Sequence, residues 1–205
     1  MSAGRESAPP ADKVVLVGNP GVGKSTIYQY FKTGRFAPED QLSHRDKAEH
    51  TKKWNVSGVE RSMTLYDTAG VERHTQTMLP TYFRRAKAIM LVYSIDNMES
   101  FGDIGSNWLD NSLNSANSAR VVLVGNKVDL EDGQEVGGES KRVISRERAM
   151  QYAVMNDIDR SMVFEISAKT GHGVTEMFDA IVKTIDPVVQ SQPAVDEKPN
   201  QPSCC

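Results

Sequence analysis

The stretch Gly18-Asn19-Pro20-Gly21-Val22-Gly23-Lys24-Ser25 constrains this chain more than any other. It has the spacing G-x-x-x-x-G-K-[ST]. Ahead of it, Lys13-Val14-Val15-Leu16-Val17 is a short apolar run rich in β-branched residues, the pattern of a buried parallel strand. Behind it, residues 25–32 read as a helix. The glycines therefore fall in a strand-to-helix turn. There the backbone can curl with its N–H groups inward, and the start of the helix adds partial positive charge. The chemistry expected of such a turn is phosphate binding. Gly21, Val22, Gly23, Lys24, Ser25 and Thr26 supply the contacts, with Lys24 reaching the β- and γ-phosphates and the Ser25 hydroxyl ligating Mg²⁺.

The rest of the chain alternates in kind. Strands are predicted at 13–17, 52–57, 60–66, 88–94, 120–125 and 162–166, with the second and third joined as a hairpin through Ser57-Gly58. Helices are predicted at 25–32, about 74–85, 99–116, 145–155 and 174–185. This order predicts an α/β fold of the P-loop NTPase kind: a mostly parallel six-stranded sheet with helices on both faces. Ligands of such sheets bind at the carboxyl ends of the strands.

Three later motifs fall at strand ends. Leu65-Tyr66-Asp67-Thr68-Ala69-Gly70 offers a carboxylate, Asp67, for Mg²⁺, and Gly70 lets a backbone N–H approach a terminal phosphate. Taken alone, Asp-Thr-Ala-Gly is also a common turn. Val121-Val122-Leu123-Val124-Gly125-Asn126-Lys127-Val128-Asp129 carries the spacing Asn-Lys-x-Asp. Asp129 can accept both parallel donors of a guanine edge, whereas adenine would leave the carboxylate unpaired. Sites built on such pairing discriminate strongly. The Lys127 stem can lie along the purine face. Val163-Phe164-Glu165-Ile166-Ser167-Ala168-Lys169 follows the last strand and offers the Ala168 N–H to a base oxygen. Ser167 and Lys169 flank it as further nucleotide contacts.

These four motifs, in this order over residues 13–185, resemble the Ras superfamily of small GTPases, the G domain of which would span 13–186. Asp67-Thr68-Ala69-Gly70-Val71-Glu72-Arg73, Thr81-Tyr82-Phe83-Arg84, Leu91-Val92-Tyr93-Ser94-Ile95 and the ending Cys204-Cys205 resemble the Rab branch. The resemblance implies GTP and GDP as ligands, Mg²⁺ as cofactor, Phe36 against the guanine edge and Ser43 as a further Mg²⁺ ligand. It also implies an exchange factor, an activating protein, effectors and a prenyl-binding chaperone of the GDI kind. The place of action would be the cytoplasmic face of an endomembrane, with a chaperone-bound cytosolic pool.

The departures from the family pattern carry as much information. Position 71 is Val where the family has the Gln that orients the attacking water, so no catalytic residue is assigned and intrinsic GTP hydrolysis is expected to be slow. An activating protein that brings its own Gln and Arg would still stimulate it. Pro20 stands where the family has Gly or Ser; it fixes φ, removes an N–H and restricts Asn19, and the sequence leaves open whether turnover rises or falls. In the first switch, 37–53, the family's Thr-Ile-Gly run is Ser43-His44-Arg45, and the residues from Asp46 to Lys53, mostly charged or polar, read either as a solvated loop or as an effector surface that differs from typical Rabs. Thr51 is a rival to Ser43 for the metal. Residues 131–141 are longer than the family's loop and rich in Gly and acid, a cheap surface excursion.

The net charge of −3 gives no sign of nucleic-acid binding. Residues 1–12 contain no apolar core of a secretory leader, and Ser2 argues against myristoylation. They are expected to be disordered, as is the tail 187–205, rich in Pro, Gln, Ser and charge. The two cysteines are adjacent at its end, a poor geometry for a disulfide. Prenylation of both, geranylgeranylation by the resemblance, would give the two signals that stable anchoring takes. The function expected is a membrane-anchored GTP/GDP switch in vesicle trafficking. The alternative is a GTP-binding, hydrolysis-deficient adaptor whose state is set by exchange alone. The Asn-Lys-x-Asp spacing argues against a nucleotide kinase or ATPase. The stripe Phe101, Ile104, Trp108 and Leu109 reads as core, and Trp54 as a packing residue.

Overall fold

The computed structural model describes residues 11–38, 49–56, 58–68, 82–116, 118–131 and 140–185. Six strands form one sheet in the order β2-β3-β1-β4-β5-β6. They are β1 (Asp12–Val17), β2 (Glu49–Val56), β3 (Val59–Asp67), β4 (Ala88–Ser94), β5 (Arg120–Asn126) and β6 (Val163–Ile166). Every neighbouring pair is parallel except the β2–β3 hairpin. The expected fold class is therefore the observed one.

The central strands are buried on both sides, which is why they read as continuous apolar runs. In β1, Val14 and Leu16 join one core with α1 (Lys24–Thr33). Val15 and Val17 join the other, on the opposite face of the sheet. Successive strand side chains point to opposite faces, so one short run supplies two cores. All seven residues of β4 are buried.

The helix from Met98 to Ser115 is not the single α-helix expected at 99–116. It runs as α2 (Met98–Asp103), a π-helical turn (Ile104–Leu109) and α3 (Asp110–Ser115). Asn97 caps its start, Oδ1 accepting from the Ser100 amide at 2.9 Å. Ile104, Trp108 and Leu109 are buried. The apolar stripe kept its place in the core while the backbone around it widened. α4 (Arg146–Met155) begins at a Ser145 cap that accepts from the Arg148 amide. α5 (Val174–Ile185) buries Val174, Met177, Phe178, Ile181, Val182 and Ile185. That spacing of three and four is an amphipathic face, and its boundaries match those read from the sequence.

Two boundaries differ from expectation. β2 begins at Glu49, ahead of the strand expected at 52–57, so Glu49 to Thr51 are strand residues rather than solvated loop. The ladder with β3 overrides their polar composition, pairing Glu49 with Tyr66, Thr51 with Thr64 and Lys53 with Ser62. β2 is an edge strand among the described residues, where charged side chains are tolerated. Trp54 in this strand stacks on Phe31 and donates its indole N–H to Asp179 of α5 at 3.1 Å. Of the helix expected at about 74–85, only 82–85 is described, a short turn that ends at Arg85 with φ of 62°.

The sheet order reverses its direction of growth between β1 and β4. From β1 the chain builds towards β3 and β2 on one side, then returns to add β4, β5 and β6 on the other. Such a switch point opens a crevice at the carboxyl ends of the strands. The loop after β1 lies there.

Candidate functional site

The loop from Gly18 to Gly23 leads directly into α1. Gly23 takes the N-cap position in a left-handed conformation, φ 95°, and no side chain among the described residues caps the first turn. A Cβ at this position would run into the Asn126 amide nitrogen. Lys24 opens the helix with 3% of its surface exposed. Its Nζ donates to the carbonyls of Gly18 and Asn19, each at 2.8 Å. A lysine expected to reach outward thus also fastens the loop from which it projects.

The Asn126 side chain, 2% exposed at the end of β5, joins two loops. Its Nδ2 donates to the Val22 carbonyl at 2.9 Å, and its Oδ1 accepts from the Ala168 amide at 3.1 Å. The Ala168 amide, expected to face a base oxygen, thus has an acceptor within the protein. Asp129 lies in a 3₁₀ turn, Val128–Leu130. Its Oδ1 accepts from the Ser167 hydroxyl at 2.6 Å, and its Oδ2 lies 3.9 Å from Lys169 Nζ. Lys127, between Asn126 and that turn, has φ of 71°, uncommon for a residue with a side chain. Such backbone strain collects at functional sites. Phe36, after α1, is exposed.

On the other side of β1, Asp67 ends β3 opposite Leu16 in the ladder and is largely buried. The next residue, Thr68, donates its hydroxyl to the Leu16 carbonyl at 2.7 Å, tying the two strand ends together. Ser25 is in the first turn of α1. A buried carboxylate and a hydroxyl are hard oxygen donors of the kind Mg²⁺ takes, so the residues present fit that ion. Thr51 lies within β2, its Oγ1 2.7 Å from Thr64 Oγ1. Ser43, Gly70, Val71, Cys204 and Cys205, and residues 132–139 of the longer loop, lie outside the described residues.

Two arrangements escape sequence reasoning. Asn19 Nδ2 donates to Asp103 Oδ2 at 2.6 Å, and its Oδ1 accepts from Trp108 Nε1 at 2.9 Å. Asp103 and Trp108 are five positions apart, a spacing with no place on one α-helical face. Arg142, beyond the longer loop, donates to Glu165 of β6 at 2.7 Å and to the Ile144 carbonyl at 2.8 Å. It also reaches Glu131 at 2.7 Å. The hydrogen bonds to Glu165 hold its guanidinium even more firmly protonated than usual. This pairing closes the two ends of the longer loop. A cavity of about 600 Å³ is lined by Asp129, Glu131, Arg146, Glu165 and His172, among others, but not by the phosphate loop.

Comparison with known proteins agrees with this geometry. A family model described as Ras family matches residues 13–187. The Ras-related protein Rab5 of Nicotiana tabacum is 32% identical over 205 residues, covering 94% of each chain. The Ras-related protein Rab-37 of Homo sapiens is 30% identical over 203 residues, covering 94% of this chain and 85% of its own. The GTP-binding protein RHO2 of Saccharomyces cerevisiae is 31% identical over 173 residues, covering 84% and 88%.

Proposed function

Because the chain belongs to the Ras family of small GTPases, we propose that it is a Rab-type switch, anchored to membranes and controlled by GTP and GDP in vesicle trafficking. The observation that carries this reading is the Asn126 bridge. One buried amide ties Val22 of the phosphate loop to Ala168 beside Ser167 and Asp129. The two ends of a bound nucleotide would thus be gripped by a single hydrogen-bonded unit. Asp129 would take the guanine donors and Lys24 the β- and γ-phosphates, with the loop amides of Gly21, Val22 and Gly23 and the first-turn residues Ser25 and Thr26 around them. Phe36, Lys127 and Lys169 would border the base.

Mg²⁺, when bound, neutralises phosphate charge. Ser25 and Asp67 would hold it, with Ser43 as the third ligand. Ser43 has the better claim than Thr51, the hydroxyl of which is engaged across the β2–β3 ladder. Val71 supports slow intrinsic hydrolysis, since no hydrogen-bonding group stands there to orient water. The Rab assignment draws on the Rab relatives and on Cys204-Cys205, and the tail 187–205 would carry two geranylgeranyl groups to an endomembrane. Regulators, effectors and a GDI-like chaperone follow with it.

Fluorescent GDP and ADP titrations with Mg²⁺ test the base reading, with GDP expected to bind by several powers of ten more tightly. Comparable affinities would end it. Single-turnover hydrolysis of GTP tests the rate: the Val71→Gln variant should exceed wild type by about tenfold or more. Equal rates would remove the argument from Val71.

A further inference from the structure

We infer that Asp103 and Trp108 are positioning residues for the phosphate loop, acting through the Asn19 side chain, and that the π-helical turn exists to bring both onto that one amide. The inference rests on the nucleotide-binding reading above and adds to it residues outside the four motifs.

The orientation of the Asn19 amide is fixed by its partners. The Trp108 indole N–H is a donor only, so it must meet Oδ1. The Asp103 carboxylate accepts, so it must meet Nδ2. Both contacts are short, 2.9 and 2.6 Å, and Trp108 is 3% exposed. The Asn19 main-chain carbonyl accepts from Lys24 Nζ at 2.8 Å. A continuous chain of hydrogen bonds therefore runs from the helix after β4, through Asn19, to the lysine at the start of α1. Pro20, which follows, has no N–H to give and restricts Asn19 further. Side-chain anchoring and backbone restriction act on the same residue.

The helix geometry explains why the arrangement takes this form. At 3.6 residues per turn, positions five apart lie about 140° apart around an α-helix. Asp103 and Trp108 could not then both reach one amide. A π-helical turn closes its hydrogen bonds from i to i+5, which stacks these positions. The turn spans Ile104–Leu109, directly between the two residues. It is sparsely used elsewhere in proteins and recurs at functional sites. Here it widens the helix at the place where Asn19 is held.

The consequence is that the phosphate loop is not free to relax on its own. Its carbonyl cradle for Lys24 is pinned to the helix after β4 by a charged acceptor and a buried indole. Loss of either pin should loosen the loop and speed nucleotide release.

The test is a charge-exchange cycle read by release of fluorescent GDP from the full-length protein with Mg²⁺. Asn19→Asp places a carboxylate against Asp103 and should speed release by about tenfold. Asn19→Asp combined with Asp103→Asn restores one donor and one acceptor with their places reversed, and leaves an acceptor for Trp108. Its release rate should return to within about threefold of wild type. Trp108→Phe, which keeps a ring but loses the donor, should speed release on its own, and serves if Asn19→Asp does not fold. Wild-type rates in Asn19→Asp or in Trp108→Phe, or no recovery in the double variant, would overturn the inference. Failure of wild type to bind GDP at all would instead bring down the nucleotide reading on which it stands.

Discussion

Ser167 donates its hydroxyl to Asp129 across 2.6 Å, joining the turns that follow two adjacent parallel strands. The same oxygen accepts the Thr170 amide at 3.1 Å, so one hydroxyl orders both turns. The carboxylate proposed to read the base is thereby aimed by a neighbour rather than by its own turn.

Ser167→Ala should therefore reduce discrimination as well as affinity. The Asp129 oxygen loses its partner and the Thr170 amide loses its acceptor. About 1–2 kcal/mol of binding free energy should go, a rise in the GDP dissociation constant of about tenfold. Paired titrations of GDP against inosine diphosphate, which lacks the 2-amino donor, check the aim of Asp129. The ratio of the two affinities should fall in the variant. An unchanged ratio would show that Asp129 holds its orientation alone.

Two glycines in the phosphate loop should respond differently to the same added methyl. Both have positive φ, 79° at Gly21 and 95° at Gly23. A Cβ on Gly21 meets open space, whereas one on Gly23 meets the Asn126 amide and would disturb its bonds to Val22 and Ala168. Gly21→Ala should cost only the left-handed backbone strain, about 1–2 kcal/mol. Gly23→Ala should add the loss of two buried hydrogen bonds, about 2–4 kcal/mol more. Urea denaturation of the two variants checks the order, and equal costs would contradict it.

Tyr93 offers the opposite case, a substitution expected to stabilise. Its hydroxyl is buried in β4 with no hydrogen-bond partner among the described residues, beside Gly125. Tyr93→Phe removes an unpaired polar group and should raise stability by about 1–2 kcal/mol at neutral pH. Burial, reinforced by the nearby Glu165 charge, pushes the Tyr93 phenol far above its ordinary value of 10.0. Above pH 10 the unfolded chain gives up this proton while the folded chain keeps it, so wild-type stability falls as pH rises through that range. Denaturation at pH 9 and pH 11 should show a steeper loss in wild type than in Tyr93→Phe. Parallel losses would mean that the phenol ionises as readily in the fold as outside it.

Most of the fold was legible because the signals were local. The run from Val14 to Val17 is apolar at every position, and a strand buried on both faces produces that pattern. The spacing of Val174, Met177, Phe178 and Ile181 declares a helix with one face covered. Residues 49–51 misled because their polarity is that of a loop, while the ladder to β3 is a tertiary effect that composition does not report. The π-helical turn misled for a related reason. Phe101, Ile104 and Trp108 keep an α-like apolar stripe, and the extra width of the turn is visible only in what Asp103 and Trp108 touch. At the candidate site, Lys24, Asn126 and Asp129 were singled out from spacing. Asn19 lay inside the same motif at a position the motif leaves unspecified, and its partners are 84 and 89 residues away.

The outer rim of the sheet has a bearing on life in crowded conditions. Along β2, Glu49, Lys52 and Lys53 stand where a second copy would have to lay a strand alongside. Identical copies added parallel and in register would meet like charge against like, and strand addition of that kind would be disfavoured. Wherever many molecules gather on a small area, this border works against their stacking in register into fibres.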